Sequence, residues 1–152
     1  MSDLKIEPID SLGQLEACAP ILVEAFNKAY ADDDWTYETA LSKLTDYFHS
    51  PRFLGFIVYE HEVVVGGCIG NVETYFSGDH YYLKELFVDP QGQGKGIGQL
   101  VMKRVKDELT GMGVPMISLY TMNEGPQYTF YEKQGFQPIE GMCMLVYGIE
   151  GE

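Results

Sequence analysis

The beginning of the chain follows two hydrophobic periods in turn. Leu4–Ile9 alternates apolar and polar residues, which predicts a strand. The capping-box pattern SLGQ comes next, and apolar residues then recur at helical spacing as far as Tyr30. A second helical stripe runs from Tyr37 to Phe48, with Pro51 beyond its end. This part of the chain therefore predicts one strand followed by two helices.

The pattern then changes to a period of two. FLGFIVYE and EVVVGGCIGNVETY, joined at EHE, predict a hairpin, and YYLKELFV predicts a further strand. An amphipathic helix follows from Ile97 to Met112, then a strand at MISLYT, a short helix at PQYTFYEKQ and a last strand at GMCMLVYG. The order βααβββαβαβ is typical of an α+β fold, and its strand–helix–strand portion implies a parallel pair in a mixed sheet. We expect a single domain over residues 1–152.

Composition narrows the classes of function. The formal net charge is −13, which argues against binding to nucleic acid phosphates or to anionic membranes. It suits a cationic partner, although acidity also serves solubility alone. No apolar run approaches the ~20 residues that span a bilayer, and the first ten residues lack the pattern of a secretion signal. The three cysteines form no CxxC pair, so we expect a cytoplasmic protein without a metal site.

Four alternating glycines stand directly before the third predicted helix, in FVDPQGQGKGIGQLVMKRV. A Walker P-loop is excluded because Lys95 is followed by Gly96 instead of Ser or Thr, and no frame completes a dinucleotide-binding GxGxxG. Glycines before a helix let backbone N–H groups and the positive end of the helix dipole face an anion. In the alternative, the glycines serve only the packing of a strand–helix connection. Their density favours the anion-binding interpretation.

Read as Q-x-x-G-x-G, the segment QGQGKG resembles the acyl-CoA signature of the GNAT superfamily of N-acetyltransferases. LFVDP before it and NEGPQYTFYEKQGF after it are similar to the neighbouring segments of that family, and the predicted order of elements is also the family's. The resemblance implies a GNAT-like fold with a central mixed sheet of about six to seven strands flanked by about four helices. It implies acetyl-CoA as cosubstrate, and it is compatible with a homodimer because many relatives pair.

The resemblance also implies roles for individual residues. The main chain of Leu86, Phe87 and Val88 would pair with the pantetheine arm as an added strand, and Asn123 would bond to the same arm. In the family this strand carries a bulge and separates from the next strand, so that an amide such as that of Val88 faces the thioester carbonyl. The CoA pyrophosphate would be held by the main-chain amides of Gln93, Gly94, Lys95, Gly96, Ile97 and Gly98.

Tyr131 stands where the family often places a tyrosine that donates a proton to the departing thiolate. The alternative is a core aromatic residue beside Phe130 and Phe136. The reaction also needs a base, because an alkylammonium with a pKa near ~10 must lose a proton before it attacks. Glu85, on the strand that leads into the glycines, is our candidate; alternatively it is an exposed strand residue paired with Lys84 or a neighbour. No Ser–His or Cys–His pairing suggests an acyl-enzyme, so the attack on the thioester would be direct.

The segment YADDDWTY joins the first two helices, and in the family this connection helps to cover the acceptor site. Asp33, Asp34 and Trp35 would bind a cation by charge and by cation–π contact, and Glu73 and Tyr75 would face the same cleft. A solvated loop is the alternative. We expect a small cationic amine of the polyamine or aminoglycoside type as acceptor. Two other functions stay open: a protein lysine or N-terminal acetyltransferase, and a non-catalytic acyl-CoA-binding sensor.

Overall fold

The computed structural model describes residues 3–150 of the chain. Contacts divide it into two compact units, Met1–Tyr120 and Thr121–Glu152. The second unit contains α4 (Pro126–Lys133). The first contains β1 (Leu4–Pro8), α1 (Leu12–Ala29), α2 (Tyr37–Phe48), β2 (Phe53–Glu60), β3 (Val63–Glu73), β4 (His80–Val88), a 3₁₀ turn (Pro90–Gly92), α3 (Ile97–Met112) and β5 (Met116–Ser118).

The strands of the first unit form one mixed sheet in the order β1-β2-β3-β4-β5. The first four are antiparallel neighbours, and β5 returns parallel to β4 after the crossover through α3. His61 and Glu62 join β2 to β3 with φ values of 51° and 67°, as a two-residue turn with two left-handed positions requires. The predicted mixed sheet with four helices is therefore confirmed.

Two capped helices cover one face of this sheet. Side-chain and backbone bonds form a capping box at Ser11 for α1 and at Thr36 for α2, which satisfies amides that a helix start leaves unpaired. Each fully buried aliphatic side chain of the interface contributes about 1.5–3 kcal/mol. The buried cluster between the helices and the sheet consists of Ile9, Leu15, Cys18, Ala19, Leu22, Ala25, Ala40, Leu44, Ile57, Ile69 and Phe87.

The sheet has fewer strands than the six to seven expected: residues 3–150 contain five. The strand predicted at GMCMLVYG is wrong, because residues 142–148 have no regular secondary structure. A strand needs a neighbouring backbone to pair with, and the described part of the second unit contains a helix and no strand. The apolar side chains there stay exposed, for example 87 % for Leu145 and 84 % for Val146. The strand predicted at MISLYT is only three residues long.

No helix within residues 3–150 combines the length and the apolar character that a membrane crossing requires.

Candidate active site

The end of β4 leads into a compact turn. The Asp89 carboxylate accepts a hydrogen bond from the Gln91 amide at 3.0 Å, and the Asp89 carbonyl accepts one from the Gly92 amide at 2.7 Å. Gly92 is buried, and a Cβ atom added there would lie 2.9 Å from Cδ1 of Ile97. At Gly92 the glycine is therefore needed for packing, as in the alternative that assigned the glycines to a strand–helix connection.

Two other glycines shape the segment Gln91–Gly98, which we call the glycine loop. Gly94 and Gly96 have φ values of 88° and 82°, a left-handed backbone that residues with a side chain rarely adopt. Gly96 is the N-cap of α3, and no side chain caps this helix start. The first amides of α3 are thus left to another partner, at the positive end of the helix dipole.

Four amides of the glycine loop are available to a ligand. Within residues 3–150, the amides of Gly94, Gly96, Ile97 and Gly98 donate no hydrogen bond. The amides of Gln93 and Lys95 make only long bonds, of 3.4 Å to the Pro90 carbonyl and 3.3 Å to the Gly92 carbonyl. A Cβ atom added at Gly94 would meet nothing within 4 Å, so open space lies in front of that backbone. Free amides, a helix N-terminus and open space are the parts of an anion site.

The open edge of β4 adds further amides. β5 pairs only with His80–Tyr82, so β5 leaves the edge of β4 open from Leu83 to Val88. The Asp89 amide bonds to the Val65 carbonyl of β3 at 2.8 Å. Because N–H directions alternate along a strand, the amides of Val88 and Leu86 point away from β3, toward the open edge. β5 thus does not pair with the second half of β4, and the slot for an acyl group that the family resemblance implied stays a prediction.

A bulge in β4 turns Glu85 toward the helices. Glu85 pairs with Ile69 and Leu83 pairs with Gly70, so Lys84 is an extra residue on β4. In a regular strand Leu83 and Glu85 would lie on the same face of the sheet. The bulge instead pairs them with consecutive residues of β3, which lie on opposite faces. Ile69 belongs to the cluster under α1 and α2. The Glu85 side chain therefore faces α2.

The Glu85 carboxylate pairs with Lys43 of α2, not with Lys84. The Lys43 Nζ and Glu85 Oε2 atoms lie 3.2 Å apart, and the side chains are 30 % and 13 % exposed. Burial raises the pKa of Glu85, Lys43 lowers it by charge and by hydrogen bonding, and Asp33 raises it, so that the pKa is raised on balance. Burial would lower the pKa of Lys43, but Glu85 and Tyr47 outweigh that effect and raise it. A carboxyl group with a raised pKa is a better proton acceptor near neutral pH than an exposed one.

Aromatic rings surround the Lys43 ammonium. Its Nζ atom lies 5.6 Å from the ring centroid of Trp35 and 5.2 Å from that of Tyr47. The Trp35 indole N–H donates to Asp33 at 2.9 Å. The Trp35 backbone exchanges two hydrogen bonds with the Asn27 side chain, at 2.8 and 3.0 Å. We call the group consisting of Asp33, Trp35, Lys43, Tyr47 and Glu85 the Glu85 cluster.

The structure thus brings the predicted base, Glu85, together with Asp33 and Trp35 of the predicted acceptor segment. The other three predicted acceptor residues lie outside this cluster. Asp34 is exposed beside the cluster. Glu73 lies at the far end of β3, opposite His80, where its carboxylate accepts from the Asn71 amide group at 3.3 Å. Tyr75 follows β3 and packs on His80, with ring centroids 4.5 Å apart.

Two predicted residues belong to the second unit. Tyr131 lies in α4, half-buried between Phe130 and Phe136, with ring centroids at 5.2 and 5.5 Å. Asn123 is exposed before that helix. Their roles toward CoA stay predictions.

Sequence reasoning missed Lys43 and Tyr47. Both lie on α2 four residues apart, off the apolar stripe that predicted the helix. The one available signal was that Lys43 is the single Lys or Arg between Lys28 and Arg52.

The comparisons with known proteins identify the class. The sequence model of the acetyltransferase (GNAT) family matches residues 15–136, most of the chain. The chain therefore belongs to the GNAT family of acetyltransferases, which use acetyl-CoA. The match includes β4, the glycine loop and the Glu85 cluster.

The match to an individual relative is limited in identity and in length. An IAA acetyltransferase of Azospirillum brasilense is 30 % identical over 82 residues, which cover 53 % of this chain and 53 % of that protein. The match thus spans about half the length of that curated relative.

Several solved acetyltransferases share the fold. A structure described as a possible acetyltransferase from Clostridium difficile 630 gives a TM-score of 0.79 at 14 % identity, covering 96 % of this chain and 97 % of that one. An aminoglycoside acetyltransferase from an uncultured soil metagenomic sample gives 0.75 at 17 % identity, covering 98 % of both chains. The aminoglycoside N-acetyltransferase AAC(6')-Iy in complex with CoA gives 0.70 at 16 % identity, covering 95 % and 94 %. At these identities the likeness concerns the fold.

Proposed function

We propose that this protein is an N-acetyltransferase that moves an acetyl group from acetyl-CoA to the primary amine of a small cationic molecule. The observation that carries the proposal is the set of free amides at the open edge of β4 and at the N-terminus of α3. An extended pantetheine arm followed by a pyrophosphate has the shape and charge that such a set of amides accepts.

Each part of this set has a task in this proposal. The amides of the glycine loop hold the pyrophosphate, because the helix dipole adds to their partial positive charge. The main chain of Leu86–Val88 pairs with the pantetheine arm, and Asn123 bonds to the same arm. The Val88 amide lies where it can donate to the thioester carbonyl oxygen as negative charge develops there.

The chain's own residues then handle the protons of the transfer. The acceptor ammonium loses a proton to the Glu85 carboxylate, directly or through one water molecule. The neutral amine nitrogen forms a bond to the thioester carbonyl carbon, and the carbon–sulfur bond breaks. The leaving sulfur takes a proton from the Tyr131 hydroxyl, and the attacking nitrogen gives up its second proton, which returns through water to Tyr131. The products are a neutral amide and the CoA thiol, and the proton held by Glu85 leaves to solvent. Bound acetyl-CoA supplies the activated acyl group, and no metal is required.

The Glu85 cluster supports a cationic acceptor. One carboxylate, an indole and a phenol ring already hold one ammonium group, that of Lys43, and the Asp33 carboxylate accepts from the same indole. Rings and carboxylates are the groups that bind organic cations. The net charge of −13 would draw such molecules toward the protein. Two of the solved structures with this fold are aminoglycoside acetyltransferases, which agrees with an acceptor of this class.

A thiol-release assay tests the proposal. The protein would be mixed with acetyl-CoA and, separately, with polyamines, aminoglycosides, lysine-containing peptides and monoamines. We expect at least one polycationic small molecule to cause release of CoA thiol, and its kcat/KM should be the highest in the panel. Turnover of peptides alone would favour a protein acetyltransferase, and CoA binding without release across the panel would favour a sensor.

A further inference from the structure

Lys43 lies at the point where the proposed base meets the proposed acceptor site. Its Nζ atom is 3.2 Å from Glu85 Oε2, and aromatic rings flank it at 5.6 and 5.2 Å. We propose that Lys43 is a positioning residue, which holds the Glu85 carboxylate ionised and oriented for proton transfer without itself touching the acyl donor. This inference rests on the proposed function, in which Glu85 is the base.

The support around Lys43 is rigid enough for this task. Trp35 is fixed by its two backbone bonds to Asn27 and by its indole bond to Asp33. Phe26 adds an edge contact to the indole, with ring centroids 6.5 Å apart. An ammonium held over fixed rings loses little further freedom when it pairs with a carboxylate, and partial burial protects the pair from screening by salt.

Charge around Glu85 makes Lys43 necessary. The titratable groups that act on Glu85 are Lys43 from α2, Asp33 from the loop and Tyr30 at the end of α1, and Tyr47 from α2 acts on Lys43. The neighbour of Glu85 on β3, Ile69, is apolar. Among these groups only Lys43 is positive. Without it, burial and the Asp33 charge would both favour the protonated form of Glu85, which cannot accept a proton.

Lys43→Met tests the inference, because methionine keeps the length of the chain and removes the charge. Two matched variants accompany it: Lys43→Arg retains the charge, and Lys84→Met removes a neighbouring positive charge that lies over the Tyr82 ring at 5.0 Å and is not paired with Glu85. If Lys43→Met fails to fold in a thermal melt, Lys43→Gln replaces it.

The first readout is independent of activity. The protein is labelled with ¹³C at glutamate carboxyl groups and titrated by NMR, and the Glu85 signal is assigned by its loss in Glu85→Gln. We expect the Glu85 pKa to rise in Lys43→Met, to move little in Lys43→Arg, and to move less in Lys84→Met than in Lys43→Met. An unchanged Glu85 titration in Lys43→Met, or an equal change in Lys84→Met, would overturn the inference.

The second readout is the pH dependence of kcat/KM with the best amine from the thiol-release assay. In the wild type, log kcat/KM should rise with a slope of about one below the Glu85 pKa and level off above it, because the ionised carboxylate must accept the proton of the bound ammonium. In Lys43→Met the break should move to higher pH together with the NMR titration, and kcat/KM at neutral pH should fall about tenfold. A break that stays in place while the NMR titration moves would overturn the positioning role. A wild type without turnover on any amine would refute the proposed function, while the NMR titration would still decide whether Lys43 controls Glu85.

Discussion

The glycine loop and the Glu85 cluster offer a ligand different kinds of atoms. The glycine loop presents backbone N–H groups, and its key positions have no side chain at all. The Glu85 cluster presents side chains from α2, from the preceding loop and from β4, brought together by packing. The comparison shows how one strand would serve two partners in the proposed function: β4 has an edge that β5 leaves open and, through a bulge, a side chain on the face that carries α2. Variants of the loop should therefore impair donor binding, and variants of the cluster should impair catalysis or acceptor binding.

The largest effect is expected from Gly94→Val. The φ of 88° costs a β-branched residue about 1–2 kcal/mol, and the valine side chain would fill the open space in front of the amides. We expect affinity for acetyl-CoA, measured by calorimetry, to fall about a hundredfold or more. Gly111→Ala is the matched control, because it lies within α3 in open space; it should leave affinity unchanged and add about 0.5–1 kcal/mol of stability. Normal binding by Gly94→Val would remove the loop's assigned role.

Glu85→Gln should impair catalysis and leave the binding of acetyl-CoA intact, the reverse of the result expected for Gly94→Val. Glutamine keeps the shape but cannot accept the proton, so kcat at neutral pH should fall about a hundredfold. Calorimetry should give an unchanged affinity for acetyl-CoA, since the loop is intact. A variant with the kcat of the wild type would assign the base to water or to another group.

Tyr131→Phe extends the comparison to the second unit. If its hydroxyl protonates the leaving sulfur, kcat should fall about tenfold while acetyl-CoA affinity stays the same. Tyr128→Phe, on the same helix, should behave as the wild type. Equal kcat values for the two variants would return Tyr131 to a packing role beside Phe130 and Phe136.

The smallest expected effect is the difference in KM between alanine variants at two neighbouring aspartates. Asp33 accepts from the Trp35 indole at 2.9 Å, whereas Asp34 is exposed. Both alanine variants remove one charge, but only Asp33→Ala releases the ring. The KM for a cationic acceptor should rise about threefold to tenfold in Asp33→Ala and less in Asp34→Ala. Equal changes would mean that Trp35 does not contribute through its fixed position.

The two sites also differ in how far the sequence could predict them. The glycine loop was predictable because a glycine reports directly on backbone conformation, and the φ values of Gly94 and Gly96 require what the spacing indicated. The choice of Glu85 came from its position along β4. Its partner Lys43 was not predictable, because their meeting depends on the bulge at Lys84 and on how α2 packs on the sheet. Neither the bulge nor the packing of α2 on the sheet can be predicted from local sequence patterns.

Pairing between distant segments explains the errors in the predicted sheet. GMCMLVYG has the apolar content of a strand, but a strand forms only where another backbone satisfies its N–H and C=O groups. The same limit applies to β5, where only Met116–Ser118 of the predicted strand pairs with β4. The helices were predicted more closely, because their hydrogen bonds and capping boxes are local.

The central claim is that free amides at the start of α3 bind the pyrophosphate of CoA. Amide chemical shifts measured during a titration with CoA test it most directly, with pantetheine as a matched ligand that lacks the pyrophosphate. We predict that CoA shifts the amide signals of Gly94, Gly96, Ile97 and Gly98, and that pantetheine leaves them in place while it shifts Leu86 and Val88. Binding of CoA without any change at those four loop amides would contradict the claim.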